Sequence, residues 1–224
     1  FNEISIDLIY GIPNRNHRSW QKDLTKLISF SPHHISAYCL TIEPKTTFGN
    51  WYEKGKLKPV TDDYAAEQFE ILLNEVESAG YEQYEISNFC KGSHYSKHNT
   101  SYWQNKPYLG IGPSAHSYNS NSRQSNVSNN VKYIKSIIEG IIPRTEELLT
   151  VTDRLNDYLI TGIRTKWGIS TAEFQGEYSL NSEYIALLQD QRMAVLKDGQ
   201  LILTPAGRLL ADEITEKLLL NENT

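Results

Sequence analysis

The sequence predicts an α/β protein: a partial (β/α) barrel followed by a smaller, mainly helical, winged-helix-like domain. Three observations carry this prediction. Alternating strands and amphipathic helices follow one another as strand–helix–strand–helix–strand over residues 3–89, the pattern of a parallel sheet with crossover helices. From about residue 131 the reading turns helical. Near the end, two short strands flank an Asp198-Gly199 turn, and a helix starts near Pro205. The expected divisions are a barrel part over 1–118, a polar loop over 119–130 and a C-terminal domain over 131–224.

Each element has its own signal. Over residues 3–10, Ile4, Ile6, Leu8 and Tyr10 fall on one face, and Glu3, Ser5, Asp7 and Ile9 on the other. The strand reads from the first residues of "FNEISIDLIYG", and the turn "GIPN" ends it. Trp20, Leu24, Leu27 and Ile28 recur at helical spacing and place a helix at about 16–29. "HISAYCLTIE" (34–43) is a second strand, stopped by Pro44. A loop containing Trp51 leads to a helix at about 61–79, with Thr61 as N-cap, an apolar stripe of Phe69, Leu72, Leu73 and Val76, and Gly80 as the stop. "YEQYEISNF" (81–89) is the third strand. The stretch "NSNSRQSNVSNN" (119–130) reads as a mobile polar loop.

Composition excludes several classes. A net charge of −5 argues against a nucleic-acid protein held by bulk electrostatics, and the last helix sets only Arg208 and Lys217 against Asp212, Glu213 and Glu216. No run of about 18 apolar residues occurs, so no stable membrane insertion is expected. Two cysteines, Cys39 and Cys90, are too few for a disulfide scaffold and suit a reducing, cytoplasmic setting. Cys39, in a strand, is expected to be buried and inert; Cys90, in a loop, is the one open to reaction. Trp20, Trp51 and Trp167 are expected to be packing residues. The chain opens without Met, and its single methionine is Met193, as expected of a piece of a longer protein.

Two places hold residues suited to chemistry. Asp7 puts a carboxylate in the middle of an apolar strand, which is costly unless that face looks into a polar lumen or into solvent. In a lumen it would suit ligand hydroxyls such as those of a ribose. The stretch "HYSKHNTSYWQN" (94–105) gathers His98, Asn99, Tyr102 and Trp103 with little aliphatic character between them. Imidazole is a good iron ligand, and aromatics can stack on a flat macrocycle. His94 and His116 offer the same chemistry with fewer companions. "YLGIGPSAHSY" (108–118) has two glycines but not the full GxGxxG pattern. It reads either as a close backbone approach to a ligand or as a tight turn into a strand.

"IDLIYGIP", "HISAYCLTIEPKTTF", "YEQYEISNF", "HNTSYW" and "YLGIGPSAHSY", in this order and spacing, resemble the radical S-adenosylmethionine family of oxygen-independent coproporphyrinogen III oxidases and their relatives. The C-terminal "LTPAGRLLADEI" extends the resemblance over essentially the whole chain. It is nearer to the heme chaperone (HemW-type) branch, whose HNxxYW motif is complete here as His98, Asn99, Tyr102 and Trp103. Where the oxidases carry an aromatic-amide pair that helps hold a second S-adenosylmethionine, this chain has Thr100 and Ser101, which puts decarboxylation in doubt.

The resemblance implies the C-terminal part of a radical-SAM partial barrel, with the cluster-binding CxxxCxxC loop lying upstream of this chain. It implies S-adenosylmethionine near Asp7, Thr41 and His116, a [4Fe–4S] cluster in the parent protein, and heme at His98, Asn99, Tyr102 and Trp103, with His98 an iron ligand. The implied function is heme binding and delivery to an acceptor protein; the alternative is oxidative decarboxylation of coproporphyrinogen III in porphyrin biosynthesis. Without three thiolates at cluster spacing, this chain alone is expected to be catalytically inactive. An open sheet edge at Phe1–Tyr10 is expected to favour self-association.

Overall fold

The computed structural model describes residues 3–221, so Phe1 and Asn2, with the expected start of the first strand, lie outside the described residues. The chain forms a mixed α/β structure of two compact units, Phe1–Ser96 and Lys97–Thr224. The division falls earlier than residue 118, so the segment carrying "HNTSYW" and "YLGIGPSAHSY" belongs to the second unit.

The first unit runs β1 (Ser5–Tyr10), α1 (Arg18–Ser29), β2 (His34–Cys39), α2 (Thr47–Glu53), α3 (Asp62–Ser78), β3 (Glu82–Glu85) and β4 (Asn88–Cys90). β1 and β2 pair in parallel, joined by α1. Trp20, Leu24 and Leu27 of α1 and Phe69, Leu72 and Val76 of α3 pack with Ile35, Ala37 and Phe89 in one core. Ile6, Leu8 and Tyr10 reach that core from β1, so the alternation read in the sequence holds. Thr61 caps α3 by accepting from the Tyr64 N–H.

Four expectations for this unit need correction. The third strand, expected to be continuous and parallel, is a tight hairpin, and its second arm β4 lies antiparallel between β2 and β3. The Glu85 carboxylate accepts from the Ser87 N–H and the Asn88 side-chain amide, stapling a turn where the sequence alternation shows no break. β2 ends at Cys39 rather than running to Pro44. This reverses the cysteines: Cys39, at the strand end, is exposed, whereas Cys90, paired in β4, is buried. Trp51 lies on an unforeseen helix, α2, and is exposed rather than packed.

The second unit runs α4 (Lys97–Trp103), β5 (His116–Tyr118), β6 (Ser122–Asn126), α5 (Asn130–Ile138), β7 (Arg144–Leu148), α6 (Val151–Gly162), β8 (Ile169–Ser170), α7 (Ser182–Asp190), β9 (Ala194–Lys197), β10 (Gln200–Leu203), α8 (Pro205–Leu209) and α9 (Ala211–Leu218). It holds two antiparallel sheets, β5-β6-β7 and β8-β10-β9. The expected loop over 119–130 contains the strand β6, held to β7 by a polar ladder in which Ser125 meets Thr145 at 2.8 Å and Gln124 donates to Glu146 at 2.8 Å. Polar side chains that suggested a loop instead bond across the strands.

The β9–β10 hairpin turns at Asp198 and Gly199, with φ of 52° and 75°, the left-handed pair that a two-residue turn requires. A helix starts at Pro205, as expected, with Thr204 as its cap, but it breaks at Leu210 into α8 and α9. Leu159, Ile169, Leu201, Leu203, Ile214 and Leu218 are buried and give this part its core.

Candidate functional site

The HNxxYW residues occupy one short helix, α4. At 3.6 residues per turn, positions four apart share a face. The spacing therefore makes two stripes, His98 with Tyr102 and Asn99 with Trp103. His98 and Tyr102 are exposed, whereas Asn99 and Trp103 are half-buried. Asn105 ends the helix in a left-handed conformation (φ 50°), with its N–H on the Tyr102 carbonyl and the Lys106 N–H on the Ser101 carbonyl; Pro107 follows. The Asn105 amide also donates to Thr161 of α6 at 3.1 Å, and the Arg164 guanidinium lies over the Trp103 ring at 5.4 Å. These contacts hold a helix that lacks an apolar stripe of its own.

The His98 and Tyr102 rings meet at 5.0 Å. Neither His98 ring nitrogen bonds to another described residue. Ser101 turns its hydroxyl back onto the His98 carbonyl at 2.6 Å. The Thr100 Oγ1 and Trp103 Nε1 atoms are buried without a partner among the described residues.

The ring row continues from Tyr102 to Tyr108 at 4.8 Å and from Tyr108 to Tyr118 at 6.0 Å. Tyr108 and Tyr118 wall a cleft of about 440 Å³. Burial, followed by the neighbouring Tyr102, pushes the Tyr108 phenol up, so it stays neutral. The two glycines of "YLGIG" serve the chain itself. The Gly110 N–H donates to the Ser117 hydroxyl at 2.9 Å and the Gly112 N–H to the Tyr133 hydroxyl at 3.2 Å. A Cβ on Gly110 would collide with the carbonyl oxygen of His116. The close approach read in the sequence is thus made to strand β5. His116 itself is exposed on β5.

In the first unit, Asp7 is exposed at the middle of β1, on the sheet face opposite the core and level with Ser36. Thr41 is exposed just beyond β2. Beside Asp7 lies a polar network that sequence reasoning missed. Ser5 Oγ and His34 Nδ1 are 2.9 Å apart, and His34 Nε2 and the Tyr84 hydroxyl 2.8 Å. Ser36 donates to the Asn88 side-chain oxygen at 3.3 Å, and Asn88 donates in turn to Glu85. His34, Ser36, Tyr84, Glu85 and Asn88 are all buried. Burial pushes the His34 imidazole below its ordinary value, opposed in part by Asp7. The signal was present in "HISAYC": His34 and Ser36 alternate with Ile35 and Ala37.

No protein-family model matches the chain. It is 34% identical over 96% of its length to the heme chaperone HemW of Bacillus subtilis, and 30% identical over 99% to that of Lactococcus lactis. The chain belongs to the family of HemW heme chaperones and radical S-adenosylmethionine coproporphyrinogen oxidase-like proteins. Another relative in this family is a mitochondrial radical S-adenosyl methionine domain-containing protein 1 of Danio rerio, 30% identical over 97% of the chain. In structure, the chain is similar to the coproporphyrinogen III oxidase HemN of Escherichia coli, described as a radical SAM enzyme, with a TM-score of 0.74 at 17% identity over 98% of this chain and 55% of that one. The chain spans 58% and 60% of the length of the two HemW proteins.

The family implies S-adenosylmethionine and a [4Fe–4S] cluster in its members. The cluster does not fit the residues present. Cys39 and Cys90 are the only thiols, and they project to opposite faces of the sheet, Cys39 in register with Tyr10 and Cys90 with His34. S-adenosylmethionine fits better: Asp7 is a carboxylate without a hydrogen bond from any described residue, on a polar sheet face, and Thr41 is open to a ligand. Asp7 and Thr41 belong to the first unit and His116 to the second.

Proposed function

We propose that this chain is part of a protein that binds heme and delivers it to an acceptor protein, with His98 as the side chain that would hold the iron. The observation that carries this reading is the state of His98: an exposed imidazole, free of hydrogen bonds from described residues and braced edge-on by Tyr102. A ligand histidine needs an available ring nitrogen and a fixed orientation, and α4 supplies both. The unpartnered Trp103 Nε1 and Thr100 Oγ1 atoms add polar groups that a bound ligand could satisfy. The name of the two HemW relatives supports the same reading.

On this reading the first unit is part of a radical-SAM partial barrel and the last part of the chain is winged-helix-like. Asp7 and Thr41 then serve S-adenosylmethionine, with Asp7 accepting from ribose hydroxyls. When bound in the full-length protein, that cofactor and its cluster would supply radical chemistry, for which this chain has no thiolate set. Coproporphyrinogen III decarboxylation is the weaker reading: Thr100 and Ser101 replace an aromatic-amide pair, and Ser101 engages its own helix.

A heme titration followed at the Soret band tests the proposal. The chain should bind saturably, and His98→Ala should weaken binding at least tenfold and shift the band. Equal titrations for both proteins would remove His98 from the site.

A further inference from the structure

The HNxxYW helix accounts for the iron but not for the porphyrin ring. We infer that the cleft walled by Tyr108 and Tyr118 receives the flat face of the tetrapyrrole, independently of its iron; this rests on the heme-binding reading above.

Four observations support the cleft. Its volume, about 440 Å³, falls within the range of small-molecule sites. It is joined to the motif through rings, because Tyr108 lines the cleft and touches Tyr102, which touches His98. Its lining contains no charged side chain, and Ser117, Ser122 and Gln124 there are already engaged. Ser117 accepts from Gly110, Ser122 donates to Glu146, and Gln124 donates to Glu146 while accepting from Arg144. Such a lining gives little to a sugar or a phosphate, which must replace the hydrogen bonds they lose to water. It suits a flat apolar ring held by stacking and contact. Finally, Leu109 on the cleft rim is 78% exposed and Ile111 beside it 84%. Gly110, packed against the His116 carbonyl, fixes the backbone that holds both outward. Leu109 adds an aliphatic edge to the aromatic wall of the cleft.

The remaining face of the ring, and its carboxylates, would stay in solvent. A half-open seat suits a ligand that must be passed on.

The test is a titration of the chain with iron-free protoporphyrin IX, read by porphyrin fluorescence, beside a titration with hemin. The chain should bind the iron-free ring. Leu109→Ser, whose exposed position leaves the fold intact, should weaken that binding about fivefold. Tyr118→Ser should weaken it further, with circular dichroism confirming its fold. Failure of the chain to bind the iron-free ring, or wild-type affinity in Leu109→Ser and a folded Tyr118→Ser, would overturn the inference even if hemin binds. Failure to bind hemin while the iron-free ring binds would instead overturn the iron-ligand reading and leave the cleft standing.

Discussion

His98 and Tyr102 stand one helical turn apart, with ring centroids 5.0 Å apart and planes at 85°. The two rings meet in a T-shaped contact that limits how the imidazole can turn. An aromatic pair of this kind contributes about 0.5–1.5 kcal/mol beyond its buried area, so Tyr102→Leu should weaken heme binding about two- to tenfold. Tyr102→Phe keeps the ring and should stay within about twofold. Parallel Soret titrations check this; equal losses would put the weight on the hydroxyl instead.

Gly110→Ala should destabilise the chain by about 3 kcal/mol, because its methyl group meets the backbone of His116, which cannot yield as a side chain can. Gly112→Ala has open space around it and only an unfavourable φ of 103°, so about 1 kcal/mol is expected. Thermal melts of the two variants should rank them in that order.

Leu24→Ala removes a fully buried side chain from between α1 and the sheet and should cost about 2–5 kcal/mol. Ile134→Ala, at a position 57% exposed on α5, should change stability by less than about 0.5 kcal/mol. Urea midpoints measure both, and a large loss at Ile134 would show that its face is covered.

The His34 imidazole is held below its ordinary value of 6.5 by burial. The unfolded chain therefore takes up a proton first as the pH falls. The stability contributed by neutral His34 is complete above that ordinary value and is lost as the pH drops from it through the lower folded value. Melting temperature should fall as the pH drops below about 6.5, and His34→Gln should flatten that slope while lowering the plateau. An unchanged slope would assign the acid sensitivity to other groups.

Much of the first unit was legible because its signals were local. Thr61 and the stripe Phe69, Leu72 and Val76 define α3, and the period-two pattern of β1 correctly separated the Asp7 face from the core. The failures share a cause. The Glu85 staple, the Gln124–Glu146 pair and the Asn105–Thr161 bond all join side chains whose partnership the local pattern does not announce. The first turned a strand into a hairpin, the second made a strand from an expected loop, and the third pins a helix that propensity would not propose. The motif residues were identified by resemblance, but their division into an exposed and a half-buried stripe needed coordinates. The His34–Tyr84 network was readable in principle from the alternation of "HISAYC", although the need to bury its polar side was not.

The two-stripe geometry of α4 makes HNxxYW a ruler as much as a list of side chains. Each added or deleted residue rotates everything beyond it by about 100° around the helix. A one-residue insertion between Asn99 and Tyr102 would keep all four letters yet uncouple the imidazole from its tyrosine brace. Substitutions at the two intervening positions, by contrast, leave the phase intact. Across homologous chains, the count between these letters should therefore tolerate far less drift than the residues that fill it.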